Sequence, residues 1–196
     1  MTVTLQSLLR NAWDTVRSPR EGAAWVMTFD IPRAERWLLL FLITVLSVIL
    51  AHISGLLLFS QTDMFMGQIL ASPFISTILQ MSVLVITVFL VFWMGRAMGG
   101  QGGFGDTILL VAWLQFIMGC LQVIQLIAML TIPAFGSLLG VVGLVLFFWL
   151  LTNFVAELHG FQSLGQVFAM VVVALIGLAF AMSILLTLIG VSITGV

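Results

Sequence analysis

Three glutamines are the first candidate for a functional set of polar side chains in this sequence. Gln115, Gln122 and Gln125 are spaced by seven and three residues, so a helix would place them on about one face. Amide groups are costly in lipid, so the stripe should face the interior of a helical bundle. It could line a polar path, or it could fasten helices together, with Asn153 and Gln80 as candidate partners. We favour fastening, because a transporter usually shows a charge in the middle of a span or a broken helix.

A glycine-rich stretch is the second candidate. Residues 100–105 read Gly-Gln-Gly-Gly-Phe-Gly, which matches the pattern G-x-G-x-x-G of dinucleotide-binding loops. No strand pattern precedes it and no acidic residue follows about twenty positions later, as that fold requires. A phosphate-binding loop is also disfavoured, because Asp106 stands at the lysine position and would repel phosphate. The stretch therefore indicates a flexible turn, with Asp106 capping the next helix and able to pair with Arg96 across the turn.

Two histidines and one cysteine complete the reactive side chains. His52 lies inside an apolar stretch, where a histidine is a candidate site by default, but we favour a hydrogen bond to a neighbouring helix. His159 follows Glu157 by two residues, a spacing that does not face on a helix, so the pair is weak as a metal or proton site. Cys120 is surrounded by apolar residues and is expected to be inert. No catalytic set and no cluster of metal ligands can be assembled, so we expect neither an enzyme nor a cofactor.

The composition identifies the environment in which these residues lie. Of 196 residues, 62% are hydrophobic and 7% are charged, whereas an ordinary soluble domain carries roughly a quarter charged residues. So few charges cannot cover a water-soluble surface, and the chain is therefore an integral membrane protein. The net charge of -1 and the absence of lysine argue against a nucleic-acid partner, and one cysteine excludes a disulfide framework.

Five stretches reach the length of about 20 apolar residues that a spanning helix needs. They cover about 37–59, 72–95, 107–130, 134–156 and 164–189, and together form one transmembrane domain over residues 37–196. No stretch shows the alternation of a membrane strand. The fold class is therefore all-α, a polytopic bundle of five transmembrane helices preceded by short amphipathic interfacial helices. In the fourth span Gly136, Gly140 and Gly143 predict close packing within the molecule.

Arginine and tryptophan placement predicts the orientation. Five arginines precede the first span and Arg96 follows the second, so the amino terminus is expected in the cytoplasm and the carboxyl terminus outside. All six tryptophans also fall toward the cytoplasmic side, as one interfacial belt would require: Trp13, Trp25, Trp37, Trp93, Trp113 and Trp149.

Residues 1–36 predict a cytoplasmic or interfacial segment of two short helices. The first carries an apolar stripe at helical spacing, formed by Leu5, Leu8, Leu9, Ala12, Trp13 and Val16. This stripe would lie in the lipid headgroup region or pack on the cytoplasmic face of the protein itself, and the sequence leaves both open. The second helix begins at Ser18-Pro19-Arg20-Glu21, where a cap residue is followed by proline.

The layout and two of its segments resemble the Yip1 family, specifically its short bacterial branch. The segments are Ser18-Pro19-Arg20 and the turn Gly95-Arg96-Ala97-Met98-Gly99-Gly100-Gln101-Gly102-Gly103-Phe104. The resemblance implies a five-span protein with a cytoplasmic amino terminus. Eukaryotic relatives bind prenylated Rab GTPases, but this chain lacks their long cytoplasmic domain and their Asp-Leu-Tyr-Gly-Pro type motif, so Rab binding is not carried over. The use of arginine rather than lysine suggests a GC-rich bacterial gene and hence an inner membrane.

These observations predict a non-enzymatic membrane protein that acts as a scaffold, assembly factor or accessory subunit. Its partners would be the lipid bilayer and another membrane protein or a second copy of itself. The predicted contact surface combines the amino-terminal stripe with the residues of the glycine-rich turn: Arg96, Gly99, Gly100, Phe104 and Asp106. The alternative is a small channel or transporter with its polar path along the third span.

Overall fold

The computed structural model is all-helical over the residues it describes, 4–58 and 72–188. Its helices are α1 (Leu5–Arg17), α2 (Pro19–Met27), α3 (Arg33–Leu58), α4 (Pro73–Ala97), α5 (Phe104–Thr131), α6 (Pro133–His159) and α7 (Leu164–Leu188). Helices α3 to α6 are long and apolar enough to cross a membrane, while the apolar stretch identified in α7 is shorter, Leu164–Gly177. The predicted connection 60–71 and the segment from residue 189 onward lie outside the described residues.

Local signals account for most of the helix starts. Ser72 caps α4 by accepting the backbone N–H of Ile75, and Pro73 takes the first helical position, where a missing N–H costs nothing. Proline also opens α2 and α6. The predicted cap of α5 was wrong: the helix begins at Phe104 after Gly103, so Asp106 lies inside its first turn. A carboxylate at that position still interacts favourably with the positive end of the helix dipole.

Helix α5 is the centre of the bundle. It packs against α3 on one side and α6 on another, with α4 as a further neighbour. Its first half is almost completely buried from Thr107 to Leu114. By contrast, α4 has few buried residues and presents large apolar side chains outward along its length. In a bilayer those side chains would face lipid, which solvates them at no cost.

Glycines bring α5 and α6 close together. Side chains of α5 lie directly above three glycines of α6, with Met129 over Gly136, Gln125 over Gly140 and Leu121 over Gly143. At Gly136 the contact reaches the backbone, because an added Cβ would lie 2.8 Å from the N and Cα atoms of Met129. The predicted intramolecular use of these glycines is confirmed.

The amino-terminal helices form a hairpin that packs into the bundle. Ala23 and Val26 of α2 and Ala12 of α1 belong to the same buried core as Trp113 and Leu150. Packing on the protein itself, one of the two alternatives open for this segment, therefore holds for α2 and for the inner side of α1.

Replacing Gly136 by alanine should destabilise the α5–α6 hairpin. The new methyl group meets backbone atoms of Met129 that cannot swing away, and overpacking of this kind typically costs about 1–3 kcal/mol. Thermal unfolding in detergent should show a lower Tm for Gly136→Ala. Gly177→Ala in α7 is the matched control, because its added Cβ meets nothing within 4 Å. Equal Tm values for the two variants would contradict the packing described.

Candidate functional site

Two helix ends meet where the turn between α4 and α5 (residues 98–103) touches the end of α6. Helix α4 ends at Ala97 and is closed by Gly99, whose φ of +86° lets the N–H groups of Gly99 and Gly100 bond back to the carbonyls of Arg96 and Gly95. Helix α6 ends at His159 and is closed in the same way by Gly160, with φ of +73° and a bond from the N–H of Phe161 to the Ala156 carbonyl. These two endings bring His159 against the turn, and this part of the bundle is hereafter the turn end.

The His159 imidazole links the two helix ends through both of its nitrogens. Its Nδ1 accepts the N–H of Gly102 at 3.2 Å, and its Nε2 donates to the carbonyl of Val91 at 3.2 Å. A backbone N–H can only donate and a carbonyl can only accept, so the ring is neutral with its proton on Nε2. The side chain is buried, which makes each of these bonds costly to lose.

The glycines of the turn are explained by this histidine. An added Cβ at Gly95 would collide with the ring, and one at Gly100 would collide with the ring and with the Cβ of His159. At Gly102 an added Cβ would lie 2.7 Å from Cγ of Leu158 and 2.8 Å from the ring. Because Gly95 has no side chain, Nε2 of His159 can reach the Val91 carbonyl one turn earlier in α4. We define Val91, Gly95, Gly100, Gly102 and His159 as the His159 cluster.

Sequence reasoning missed the importance of His159. Its bond to Gly102 joins residues 57 positions apart, and no local periodicity reports such a contact. Sequence reasoning compared His159 with Glu157, two residues earlier, whereas the histidine contacts Gly102, Val91 and Phe161. Two features of the sequence had to be considered together to find it. One is the run of glycines in the α4–α5 turn, and the other is the histidine at the end of α6.

Contacts from the α1–α2 hairpin extend the His159 cluster. The Phe161 ring stacks on the imidazole at a centroid distance of 5.7 Å, and its carbonyl accepts a hydrogen bond of 3.0 Å from Arg20 of α2. On the other side of the hairpin, Nε1 of Trp113 donates to the Thr15 hydroxyl at 3.2 Å. The hairpin is thus fastened to both the α6–α7 connection and α5.

An ion pair fastens the start of α3 to the start of α5. Arg36 lies 3.0 Å from Asp106 and donates through Nε to the Ile31 carbonyl at 2.6 Å. The sequence-based pairing of Asp106 with Arg96 was therefore wrong. Arg96 instead holds its guanidinium over the Phe92 ring, 5.9 Å from its centroid, and Arg36 wins because α3 packs directly along α5.

The residues of the predicted contact surface divide into two groups. Arg96 and Gly99 are exposed, as are Met98 and Gln101 beside them. Gly100 is buried in the His159 cluster, and Phe104 lies half-buried in an aromatic group formed with Trp37, Phe89 and Phe92. On α1, the exposed apolar residues are Leu5, Leu9 and Trp13, whereas Leu8 packs against the core.

The three glutamines form hydrogen bonds between helices. Gln115 donates to the Ser47 hydroxyl at 3.2 Å and Gln122 to the Ser47 carbonyl at 3.5 Å, which ties α5 to α3. Gln125 donates to the Gly136 carbonyl at 3.3 Å, which ties α5 to α6.

Asn153 and His52 each form a hydrogen bond within their own helix. Asn153 donates to the carbonyl of Trp149 at 2.8 Å and so does not partner the glutamines, and Nδ1 of His52 lies 2.9 Å from the Val48 carbonyl. Two apolar cavities lie among the described residues, and neither is lined by a glutamine, by Asn153 or by His52. Over the same residues, no three His, Cys, Asp or Glu side chains come together in a way that could hold a metal ion.

Comparison with known proteins gives one finding. The family model of the Yip1 domain matches residues 13–187 of the chain. No significant match was found among curated proteins or among solved structures.

The contact between Gly95 and His159 can be tested with paired substitutions. Gly95→Ala should lower the Tm, because the methyl group meets the imidazole. In a His159→Ala background the ring is gone, so Gly95→Ala should cause little further loss. Gly99→Ala is the control: its cost comes from the positive φ and should be the same in both backgrounds. Additive losses for Gly95→Ala and His159→Ala would contradict the contact.

The glutamines should behave as fasteners. Gln115→Ala and Gln122→Ala each remove a bond between α5 and α3, and such bonds in membranes average about 0.6 kcal/mol. We expect a modest loss of Tm for each variant and a larger loss for the pair. The alternative is tested in proteoliposomes with a triple variant that adds Gln125→Ala to these two substitutions: a solute flux that the triple variant abolishes, without loss of Tm, would favour a polar path.

Proposed function

Because this chain belongs to the Yip1 domain family, we propose that it is a non-enzymatic membrane protein that acts as a scaffold, assembly factor or accessory subunit of a larger membrane complex. The family match and the four long apolar helices make it a multi-pass membrane protein. The scaffold role is our proposal, and it rests on how the turn end is built.

The observation that carries the proposal is the use of polar side chains at the turn end. Both nitrogens of His159 are bonded to backbone groups, Arg20 bonds the Phe161 carbonyl, and Arg36 bonds Ile31 and Asp106. A catalytic base or acid must keep an atom free for its substrate. These groups instead hold the backbone in place, which favours a structural role over a reaction.

The proposed architecture contains five spans, with α7 as the fifth. Described side chains of α7 such as Val173, Ile176 and Phe180 are apolar and exposed, as expected for a helix that faces lipid. We further propose a bacterial inner membrane with the amino terminus in the cytoplasm. The grouping of arginines near the turn end supports this orientation, because cytoplasmic segments carry the excess of Arg and Lys.

The exposed tip of the α4–α5 turn is our candidate for the partner contact. Met98 is 50% exposed and lies beside Arg96, Gly99 and Gln101. The His159 cluster holds this tip from beneath, so a partner would lose little entropy in binding it. The hydrogen bonds of the glutamines favour fastening, so we do not put forward the channel as a second function.

The test is purification of the tagged protein from its native membrane by gentle extraction, followed by native mass spectrometry. We expect a stoichiometric partner. A double variant, Met98→Glu with Gln101→Glu, should reduce the partner-to-protein ratio several-fold while leaving the Tm unchanged, because both side chains are exposed.

Gln162→Glu is the matched control for this experiment. It adds a negative charge to an exposed position in the α6–α7 connection, also at the turn end, and should retain the partner. Purification of the protein without any partner would overturn the proposal. Equal loss of the partner with Gln162→Glu would show that general charge at this end, rather than the tip of the turn, governs binding.

A further inference from the structure

Helix α1 has three distinct sides. Leu8, Ala12 and Thr15 face the protein, where Ala12 and Thr15 are buried. The apolar outer side is formed by Leu5, Leu9 and Trp13, which are 69%, 47% and 58% exposed. At 100° per residue, the next positions around the helix are those of Gln6 and of the two exposed arginines, Arg17 and Arg10.

The hairpin holds α1 beside the membrane-spanning part of the bundle. Thr15 accepts its hydrogen bond from Trp113, which lies seven residues beyond Asp106 along α5. At 1.5 Å per residue, this places the contact about 10 Å past the level of the Arg36–Asp106 pair. An interfacial helix buries its apolar face about 5–10 Å into the boundary between headgroups and acyl chains. Charged side chains at the ends of spans belong at the headgroup level, so with the Arg36–Asp106 pair at that level helix α1 has the depth of an interfacial helix.

A second contact supports the same depth. Ala23 and Val26 of α2 share a buried core with Leu150 and Phe154 of α6. Leu150 lies nine residues before the end of α6 at His159, or about 13 Å along the helix axis. The hairpin thus packs against apolar stretches of two spans.

The charges of α1 are arranged as a lipid interface requires. The guanidinium of Arg17 lies 4.9 Å from the centroid of the Trp13 ring, and Arg10 is on the same edge. Long basic side chains beside an apolar face can keep their stems in apolar surroundings while their charged ends reach phosphate groups. Asp14 lies further around the helix, away from the apolar side.

We infer that the outer side of α1, formed by Leu5, Leu9 and Trp13, is inserted into one leaflet of the surrounding bilayer, with Arg10 and Arg17 bonded to lipid phosphate groups. The occupant of this apolar surface is phospholipid and not a protein partner. The inference rests on membrane insertion of the bundle and is independent of the proposed scaffold role.

The test uses the full chain in liposomes of phosphatidylcholine and phosphatidylglycerol. In a Cys120→Ser background, a nitrobenzoxadiazole label is attached at Leu9→Cys or at Asp14→Cys. Both positions are exposed, so neither substitution disturbs the core. Quenching is measured with spin-labelled lipid and with aqueous iodide, and the Tm of each labelled variant confirms that it is folded.

We expect lipid quenching to be several-fold stronger at position 9 than at position 14, and iodide quenching to show the reverse order. Iodide quenching at position 9 equal to that at position 14 would overturn the inference, because the surface would then face water. Protection of position 9 from both quenchers would overturn it too, since protein would then cover the surface. Cross-linking between Leu9→Cys chains that persists when the protein is diluted with excess lipid would identify that protein as a second copy.

The readout is separate from the partner experiment. Labels respond to lipid whether or not a partner is purified, and loss of the partner does not change their quenching. Replacement of Arg10 and Arg17 by glutamine adds a second measurement. With both arginines present, lipid quenching at position 9 should increase with the phosphatidylglycerol fraction. With both replaced it should not change, because the neutral side chains no longer attract anionic headgroups.

Discussion

The absence of hydrogen-bond partners in hydrocarbon is the constraint on which the rest of this structure depends. Hydroxyls in the spans, such as those of Thr44 and Ser54, bond to the carbonyl one turn earlier. Longer polar side chains can reach a neighbouring helix. Gln115, Gln122 and Gln125 do so and join α5 to α3 and α6. Among the described residues, Thr152 is the exception, because its buried hydroxyl has no partner. The three glutamines therefore mark where α5 packs against α3 and α6.

The features that the sequence predicted are those encoded locally. The start of α4 at Ser72-Pro73 and the glycine face of α6 follow from neighbouring residues, and both are present. The bond of His159 to Gly102 and the pair of Arg36 with Asp106 join residues 57 and 70 positions apart. Periodicity and spacing carry no information about such contacts. This is why the glycine-rich turn could be separated from a nucleotide loop but not assigned to the histidine that it covers.

The amino-terminal segment combines a charged composition with a small apolar face that packs into the bundle. Residues 1–36 contain most of the arginines, which predicted a segment at the membrane surface. Within it, α2 has small residues at Gly22, Ala23 and Ala24, and these allow close packing: Gly22 contacts Thr15 of α1, and Ala23 is completely buried. Its charges, Arg20 and Glu21, are confined to the first turn. A short apolar face next to charges at one end is sufficient to pack into a bundle.

The turn end behaves as one body because each of its contacts serves two segments. Arg20 holds the carbonyl of Phe161, the Phe161 ring stacks on His159, and His159 holds the N–H of Gly102. The hairpin, the α6–α7 connection and the α4–α5 turn are thus joined in series through three neighbouring contacts. Removal of the imidazole would leave the Gly102 N–H and the second acceptor site of the Val91 carbonyl without partners and would break the link to the hairpin. A single histidine therefore couples the exposed tip of the turn to the α1–α2 hairpin.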